Sequence, residues 1–399
     1  MDDTVETSLS DVSAAPSIDS HEGMSLPRAV RIASSGSYDS LQRHRRRNPR
    51  ARRPVKETLD ARSEYTTSQD DGTAEHRINQ YIIKQEIGRG SFGAVHLAAD
   101  QFGHEYAVKE FSKSRLRKRA QSHLLRRPRG PRRTDTEFNS PLHRHPSQDD
   151  SENAKNPLYL IKEEIAIMKK LNHSNLVSLI EVLDDPTEDS LYMVMEMCKK
   201  GVVMKVGLEE RADPYDDEHC RCWFRDLILG IEYLHAQGIV HRDIKPDNCL
   251  VNSDDVLKVV DFGVSEMFEK DSDMFTAKSA GSPAFLPPEL CVAKHGDVSG
   301  TAADIWSMGV TLYCLRYGKL PFEQQSIFEL YESIRNDTVD FEDEQDEIFM
   351  DMMSRILEKD PAKRINMREL REHPWVTASG AEPLLPYKEN TAQIIEPPH

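Results

Sequence analysis

Between His241 and Asn248 the chain reads His-Arg-Asp-Ile-Lys-Pro-Asp-Asn, and no other stretch restricts its fold so tightly. The polar positions are those a phosphoryl transfer needs. Asp243 would accept the proton of an attacking hydroxyl, Lys245 would neutralise charge on the group in flight, and Asn248 would hold a metal ion bridging the phosphates. A short apolar strand, Leu257 to Val260, follows, and then Asp261-Phe262-Gly263, whose carboxylate supplies a second oxygen ligand for Mg2+. An isolated His-Arg-Asp would carry little weight. The whole octad, followed about a dozen residues later by Asp-Phe-Gly, is specific.

Such chemistry also needs a nucleotide cradle. Tyr81 to Ile87 mixes apolar and polar residues in the manner of an edge strand. After Ile87 come Gly88, Arg89, Gly90, Ser91, Phe92, Gly93, Ala94 and Val95. The glycines let backbone approach phosphate, and Val95 would cover the adenine. Dinucleotide sites share the same glycine spacing, but there a helix follows. Here a strand continues (Val95 to Ala99), and Ala107-Val108-Lys109 arrives where a third strand should, which excludes the dinucleotide reading. Lys109 would bind the α- and β-phosphates of ATP and pair with a Glu on the next helix. That helix is expected to start at Asn156-Pro157, with Asn as N-cap and Pro in the first turn. Leu158, Ile161, Ile165, Met168 and Leu171 form its apolar stripe. Glu164 lies one turn before Met168 on the inward side, while Glu163 is turned away, so Glu164 is the expected partner. Leu191 to Glu196 is an apolar strand leading to a hinge at Glu196 to Cys198, whose backbone groups would bind adenine. Met195 either guards the back of the pocket or is simply core. ATP and Mg2+ are the cofactors these residues require.

Residues 1–75 are rich in Ser, Asp, Thr, Pro and Arg without sustained periodicity, so a disordered tail is expected there. The Arg run from Arg43 to Arg53 is either a nuclear-localisation or docking patch or a solvated basic tail. A catalytic domain is expected over 76–376, interrupted by a basic, Arg/Pro-rich insert at 112–155. The density of its basic block favours a docking arm over an inert linker. Residues 377–399 read as a polar, Pro-rich strap or tail. The net charge of −16 argues against global attraction to nucleic acid. The six cysteines contain no C-x-x-C pair and read as reduced, buried thiols of a cytosolic enzyme, while the nuclear-localisation reading of the Arg43 to Arg53 run would add the nucleus as a second location. The start of the chain lacks the basic and then apolar run of a secretory signal. Ile305 to Leu320 is the most apolar segment; it is too short to span a bilayer, contains Arg316, and reads as a buried helix. Arg364 is placed in order to pair with Glu289, and Trp375 reads as packing.

From about Tyr81 to Trp375 these motifs run in the order of protein kinases, and the chain resembles that family. Lys245, two residues after Asp243, is the serine/threonine form of the loop. Within that class the chain resembles the calcium/calmodulin-dependent protein kinase kinases. The likeness is carried by Glu164-Ile-Ala-Ile-Met-Lys-Lys-Leu171, Glu181-Val-Leu-Asp-Asp-Pro186, Gly309-Val-Thr-Leu-Tyr-Cys314 and His373-Pro-Trp-Val-Thr377 with Gly380-Ala-Glu-Pro383, and by the site of the basic insert. None of these is a general catalytic requirement. The resemblance implies an α+β, bilobal protein-kinase fold with a small β-rich N-lobe and a larger helical C-lobe. It implies substrates that are kinases, phosphorylated on an activation-loop threonine, with AMP-activated kinase and the multifunctional calmodulin kinases as usual targets. The insert would serve substrate recognition. Activity would not depend on activation-loop phosphorylation, so Ser279 would be dispensable although Arg242 is placed to pair with a phosphate there. Ser282 stands where a hydroxyl bridges Lys245 and Asp243 in related kinases.

Two features depart from the family. Gly281 to Glu289 carries Ser282 and Pro287 where Thr and Ala are usual, and is similar to the tumour-suppressor kinase group that also activates AMP-activated kinase. No basic amphipathic helix follows Trp375, so calmodulin binding is not expected from these residues. A pseudokinase scaffold would lack Lys109, Asp243 or Asp261, and all three are present. A nucleic-acid binder is disfavoured by net acidity and by basic runs without interleaved aromatics. A monomer without nucleic-acid or membrane partners is expected.

Overall fold

The computed structural model describes residues 54–67, 74–90, 93–118, 157–208, 210–269, 272–276, 280–292, 295–341 and 344–392. The N-lobe is one eight-stranded sheet of order β1-β7-β8-β6-β5-β4-β3-β2. Its strands are β1 (Lys56–Thr58), β2 (Ser63–Thr67), β3 (Ala74–Ile78), β4 (Tyr81–Gly90), β5 (Gly93–Ala99), β6 (Glu105–Ser112), β7 (Leu179–Asp184) and β8 (Ser190–Glu196). Helix α1 (Pro157–Lys170) packs on it through Ile161, Ile165 and Met168.

The sheet curls until its edges meet. Glu181 on β7 is the seam: it accepts from Thr58 (2.7 Å) and pairs with Lys56 (2.9 Å) on one side, and accepts from Gln80 (2.8 Å) and Tyr81 (2.9 Å) on the other. The chain crosses the seam between β1 and β2, where Ala61 donates to the Asp184 carbonyl (3.0 Å). Ala61, Ile78, Tyr81, Ile83, Val108, Leu183, Tyr192 and Val194 fill the interior.

Three expectations change here. Order begins well before Tyr81, because Lys56–Thr58 and Ser63–Thr67 are strands of this sheet and not the end of a tail. β4 is not an edge strand, since β3 pairs with it from Ile78↔Tyr81 to His76↔Ile83. Both segments are polar, and they pair through backbone groups with partners that only the folded chain supplies. The insert also begins inside the fold: residues 113–118 are helical, Leu116 is in the core, and Lys113 donates to the carbonyls of Asp185 (2.5 Å) and Glu188 (2.8 Å). The rest of the basic block and the Arg43–Arg53 run lie outside the described residues.

The C-lobe is built on α2 (Asp217–Ala236) and α3 (Gly300–Tyr317). Asp216 caps the first through the His219 N–H and Ser299 caps the second through the Ala302 N–H. α3 is buried over most of its length because it is apolar all round. Around them lie α4 (Ile327–Asn336), α5 (Glu347–Ile356), α6 (Met367–Glu372) and α7 (Pro374–Thr377). Short strands β9 (Gly201–Val202), β11 (Cys249–Val251) and β12 (Leu257–Val259) form one small sheet, with β12-β11-β9 order. The pairs β10 (Ile239–Val240) with β13 (Glu266–Met267), and β14 (Phe275–Thr276) with β15 (Val298–Ser299), brace the segments around the catalytic loop.

The stretch after Trp375 is docked to residue 392. Leu384 and Leu385 are buried, and α8 (Tyr387–Asn390) places Asn390 against His173 (2.8 Å), Glu232 (2.9 Å) and the Leu229 carbonyl (3.0 Å). Trp375 packs against Phe224 and Phe349. All six cysteines are free and buried, and burial pushes the thiols of Cys198, Cys220, Cys249 and Cys291 up to about 12. No helix among the described residues is long and apolar enough to cross a membrane.

Candidate active site

The cleft face of the N-lobe sheet follows from strand register. Val95 lies opposite Lys109, and Ala107 lies opposite both Leu97 and Met195. Directly opposed residues share a face, and so do residues two apart. Val95, Leu97, Ala107 and Met195 therefore form an apolar wall beside the Lys109 ammonium. Arg89 pairs with Ala94 and Gly90 with Gly93 across the hairpin, while Ser91 and Phe92 at its tip lie outside the described residues. A Cβ on Gly93 would stand 1.6 Å from the Glu110 carbonyl oxygen, so only glycine lets β5 lie this close to β6 beside Lys109. Ile87 and Gly88 precede the hairpin on β4.

Lys109 is joined to Glu164 at 2.9 Å and to Asp261 at 3.0 Å. Burial opposes the ammonium, but the two carboxylates outweigh it and raise the lysine's pKa. Burial likewise pushes Asp261 up, and Lys109 more than reverses this, so Asp261 sits below the usual carboxylate range. Both groups are charged at neutral pH. Phe262 is buried in the core, edge-on to the His241 ring with centroids 5.4 Å apart, which keeps Asp261 facing the cleft.

The catalytic loop is held by one acid, just ahead of the apolar run Ile305 to Leu320, that no sequence motif singles out. Asp304, fully buried on α3, accepts from the backbone N–H of His241 (2.9 Å) and of Arg242 (2.8 Å) and pairs with His235 (2.8 Å). An acid adjoining a continuous apolar run was the available signal, because such a residue is buried only when paired. His241 in turn bonds the Val260 carbonyl (3.0 Å), tying the loop to the residue before Asp261.

Asp243 is surrounded by donors. Ser282 gives it a backbone N–H (2.9 Å) and a hydroxyl (2.8 Å), and Lys245 lies 3.4 Å from it. Lys245 also donates to the Ser282 hydroxyl (2.7 Å), so the serine bridges the two. Asn248 spends its amide hydrogens on the Asp243 carbonyl (2.8 Å) and carboxylate (3.0 Å). That orientation leaves its amide oxygen for a cation. With the carboxylate of Asp261 it makes a pair of hard oxygen donors, which fits Mg2+, an ion that takes one or two protein oxygens and completes its shell with phosphates and water.

At the hinge, the Glu196 carboxylate is engaged behind the strand by buried Lys258 (2.8 Å) and by the Ser178 N–H (2.8 Å). Any bond from Glu196 to a base therefore comes from its backbone. Cys198 is buried just beyond. On the activation segment, Glu289 receives a bidentate pair from Arg364 (2.8 and 2.9 Å). Ser279 lies outside the described residues. The remaining sequence-derived positions converge: Lys109, Glu164 and Asp261 form one charged cluster, and Asp243, Lys245, Asn248 and Ser282 form another beside it.

The arrangement can bind a nucleotide between the apolar wall and the small lower sheet, orient its phosphates on Lys109, and take a proton from a hydroxyl at Asp243. A family model described as protein kinase domain matches residues 145–376. The calcium/calmodulin-dependent protein kinase kinase cmkC of Emericella nidulans is 67% identical over 380 residues, covering 93% of this chain and 72% of that protein. A calcium/calmodulin-dependent protein kinase kinase of Caenorhabditis elegans is 40% identical over 318 residues, covering 79% of this chain and 56% of that protein. The serine/threonine-protein kinase GRIK2 of Arabidopsis thaliana is 36% identical over 324 residues, covering 81% of this chain and 70% of that protein.

Proposed function

We propose, since the chain belongs to the protein kinase family and within it to the calcium/calmodulin-dependent protein kinase kinases, that its substrates are other protein kinases. It is an ATP-dependent serine/threonine protein kinase. The reading beyond that is that the γ-phosphate goes to an activation-loop threonine of a downstream kinase of the AMP-activated or calmodulin-kinase type. The observation that carries the chemistry is the joint placement of the Lys109–Glu164–Asp261 cluster and the Asp243–Ser282–Lys245 bridge. Lys109 orients the phosphates, and the Glu164 carboxylate fixes the lysine's position. Asp243 takes the hydroxyl proton of the incoming threonine while Lys245 balances the negative charge beside it. Mg2+, when bound at Asn248 and Asp261, supplies charge neutralisation of the phosphates. The preference for kinase substrates is supported by sequence shared with the kinase kinases outside the catalytic motifs and by the basic block after β6.

The test uses the purified chain, ATP, Mg2+ and a catalytically dead AMP-activated kinase domain. Incorporation at its activation-loop threonine, and none in the matching alanine variant, is the expected result. Transfer to a short serine/threonine peptide but not to the intact domain would refute the substrate assignment while leaving the kinase activity intact.

A further inference from the structure

We propose that Glu266 is a positioning residue: a built-in counter-anion for Arg242 that holds the catalytic loop to the activation segment, so that no phosphate has to be added there. Arg242 directly precedes Asp243 and has a left-handed backbone (φ 69°). Its N–H is held by Asp304, and its carbonyl lies under Gly281, where a Cβ would come within 2.5 Å of it. Gly281 itself has φ 117°, so the turn beside the substrate-facing Ser282 rests on the backbone of Arg242. The guanidinium points inward. Its Nε donates to the Val264 carbonyl (2.7 Å) and its Nη1 to a Glu266 oxygen (3.1 Å).

The same Glu266 oxygen accepts the hydroxyl of Thr276 at 2.7 Å. Thr276 is buried, on β14, and β14 pairs with β15 through Thr276↔Val298 and Phe275↔Ser299. Ser299 caps α3, which carries Asp304 back to Arg242. Glu266 is fixed by its own pairing with Val240, two residues before Arg242. The contacts thus close a ring around the catalytic loop, with the Glu266 carboxylate joining the loop to the activation segment.

A guanidinium withdrawn from water needs an anion beside it. Were Glu266 neutral, the cation would either loosen the ring or wait for an anion delivered to it, and phosphate is the anion a kinase can deliver. With the carboxylate in place, a phosphate arriving at Arg242 would meet a like charge. The idea needs only kinase activity on a short peptide, so its outcome is independent of which intact substrate is correct.

The test compares wild type, Glu266→Gln and Glu266→Asp on such a peptide, with melting temperature measured for each. Glu266→Gln keeps the size and an acceptor for Thr276 but removes the charge. Its kcat is expected to fall about tenfold with the KM for ATP nearly unchanged, as for a shift in the population of the competent arrangement. Glu266→Asp should retain more activity at an unchanged melting temperature. Inorganic phosphate at tens of millimolar, on the order of what a weak anion site requires, should restore Glu266→Gln several-fold and only inhibit wild type. Phosphatase-treated wild type should keep its activity. The proposal is overturned if Glu266→Gln turns over like wild type, or if its deficit does not respond to phosphate. Loss of most wild-type activity on phosphatase treatment overturns it whatever the variants do.

Discussion

Replacing Ser282 by Ala deletes a single hydroxyl that touches both working groups of the catalytic loop. That hydroxyl donates to Asp243 at 2.8 Å and accepts from Lys245 at 2.7 Å, while the Ser282 backbone N–H holds Asp243 independently at 2.9 Å. A hydrogen bond to a charged group contributes about 1.5–3 kcal/mol. Loss of both would cost more than the protein pays, because Lys245 already stands 3.4 Å from Asp243 and can close on it directly. One charge-assisted bond is therefore the net loss, which converts to about a ten- to 150-fold fall in kcat, with the low end favoured by the remaining Lys245–Asp243 contact. Ser282→Thr restores a hydroxyl and should recover most of the activity. Steady-state phosphorylation of a short peptide, with kcat and the KM for ATP measured separately, reads this out. Lys109 and Glu164 are untouched, so the KM for ATP should move little. Turnover of Ser282→Ala within about threefold of wild type, or a larger loss from Ser279→Ala than from Ser282→Ala, would show that the bridge plays no part in the transfer step.

Lys109→Met strands Glu164 and Asp261 without their shared cation, so peptide phosphorylation should drop by well over tenfold, roughly the scale of a broken buried pair; a smaller loss would mean that another lysine reaches the phosphates. Asp243→Asn should leave ATP binding nearly intact while removing most of kcat, since it takes away the proton acceptor and no phosphate contact; wild-type turnover would sink its role as base. Acid should open the N-lobe seam. Burial pushes Glu181 up, but the bonds from Lys56, Thr58 and Tyr81 outweigh it and leave the carboxyl below its usual value. A depressed carboxylate stabilises the fold above its unfolded pKa, near 4.3, and that contribution is lost as pH falls through the folded value. Glu181→Gln should thus have a lower melting temperature at neutral pH and a weaker dependence on pH below about 4.5; an unchanged acid limb would refute the assignment. Deleting 119–155, which spares the packed Lys113 and Leu116, should leave peptide phosphorylation intact and impair phosphorylation of an intact kinase substrate; equal loss on both would indicate a folding role. The chain should be active without calcium, because residues 378–392 are packed on the C-lobe through Leu384, Leu385 and Asn390 and are interrupted by Pro383 and Pro386; calorimetry showing micromolar or tighter binding of calcium-loaded calmodulin would overturn this.

The candidate catalytic groups stand out in the sequence because phosphoryl transfer admits few residue types at each position, and because strand, loop and helix follow one another locally around them. Lys109, Asp243, Asn248 and Asp261 each sit in a short motif whose spacing carries its own geometry. Glu164 needed one further step, the helical period that turns it inward. What sequence could not reach depends on partners distant in the chain. Residues 56–67 are too polar to announce strands, and they become strands because Glu181, more than a hundred positions away, and the edges of a curled sheet accept them. Asp304 reads only as the residue before an apolar helical run until folding brings the two backbone N–H groups of His241 and Arg242 onto its carboxylate. Glu266 and Thr276 carry no motif at all, and their meeting at Arg242 is set by two short strand pairs. Local chemistry selects the reacting groups, whereas the buried charges that hold them in place acquire partners only through tertiary contact, since a charge leaves water only where the fold has assembled its counter-charge.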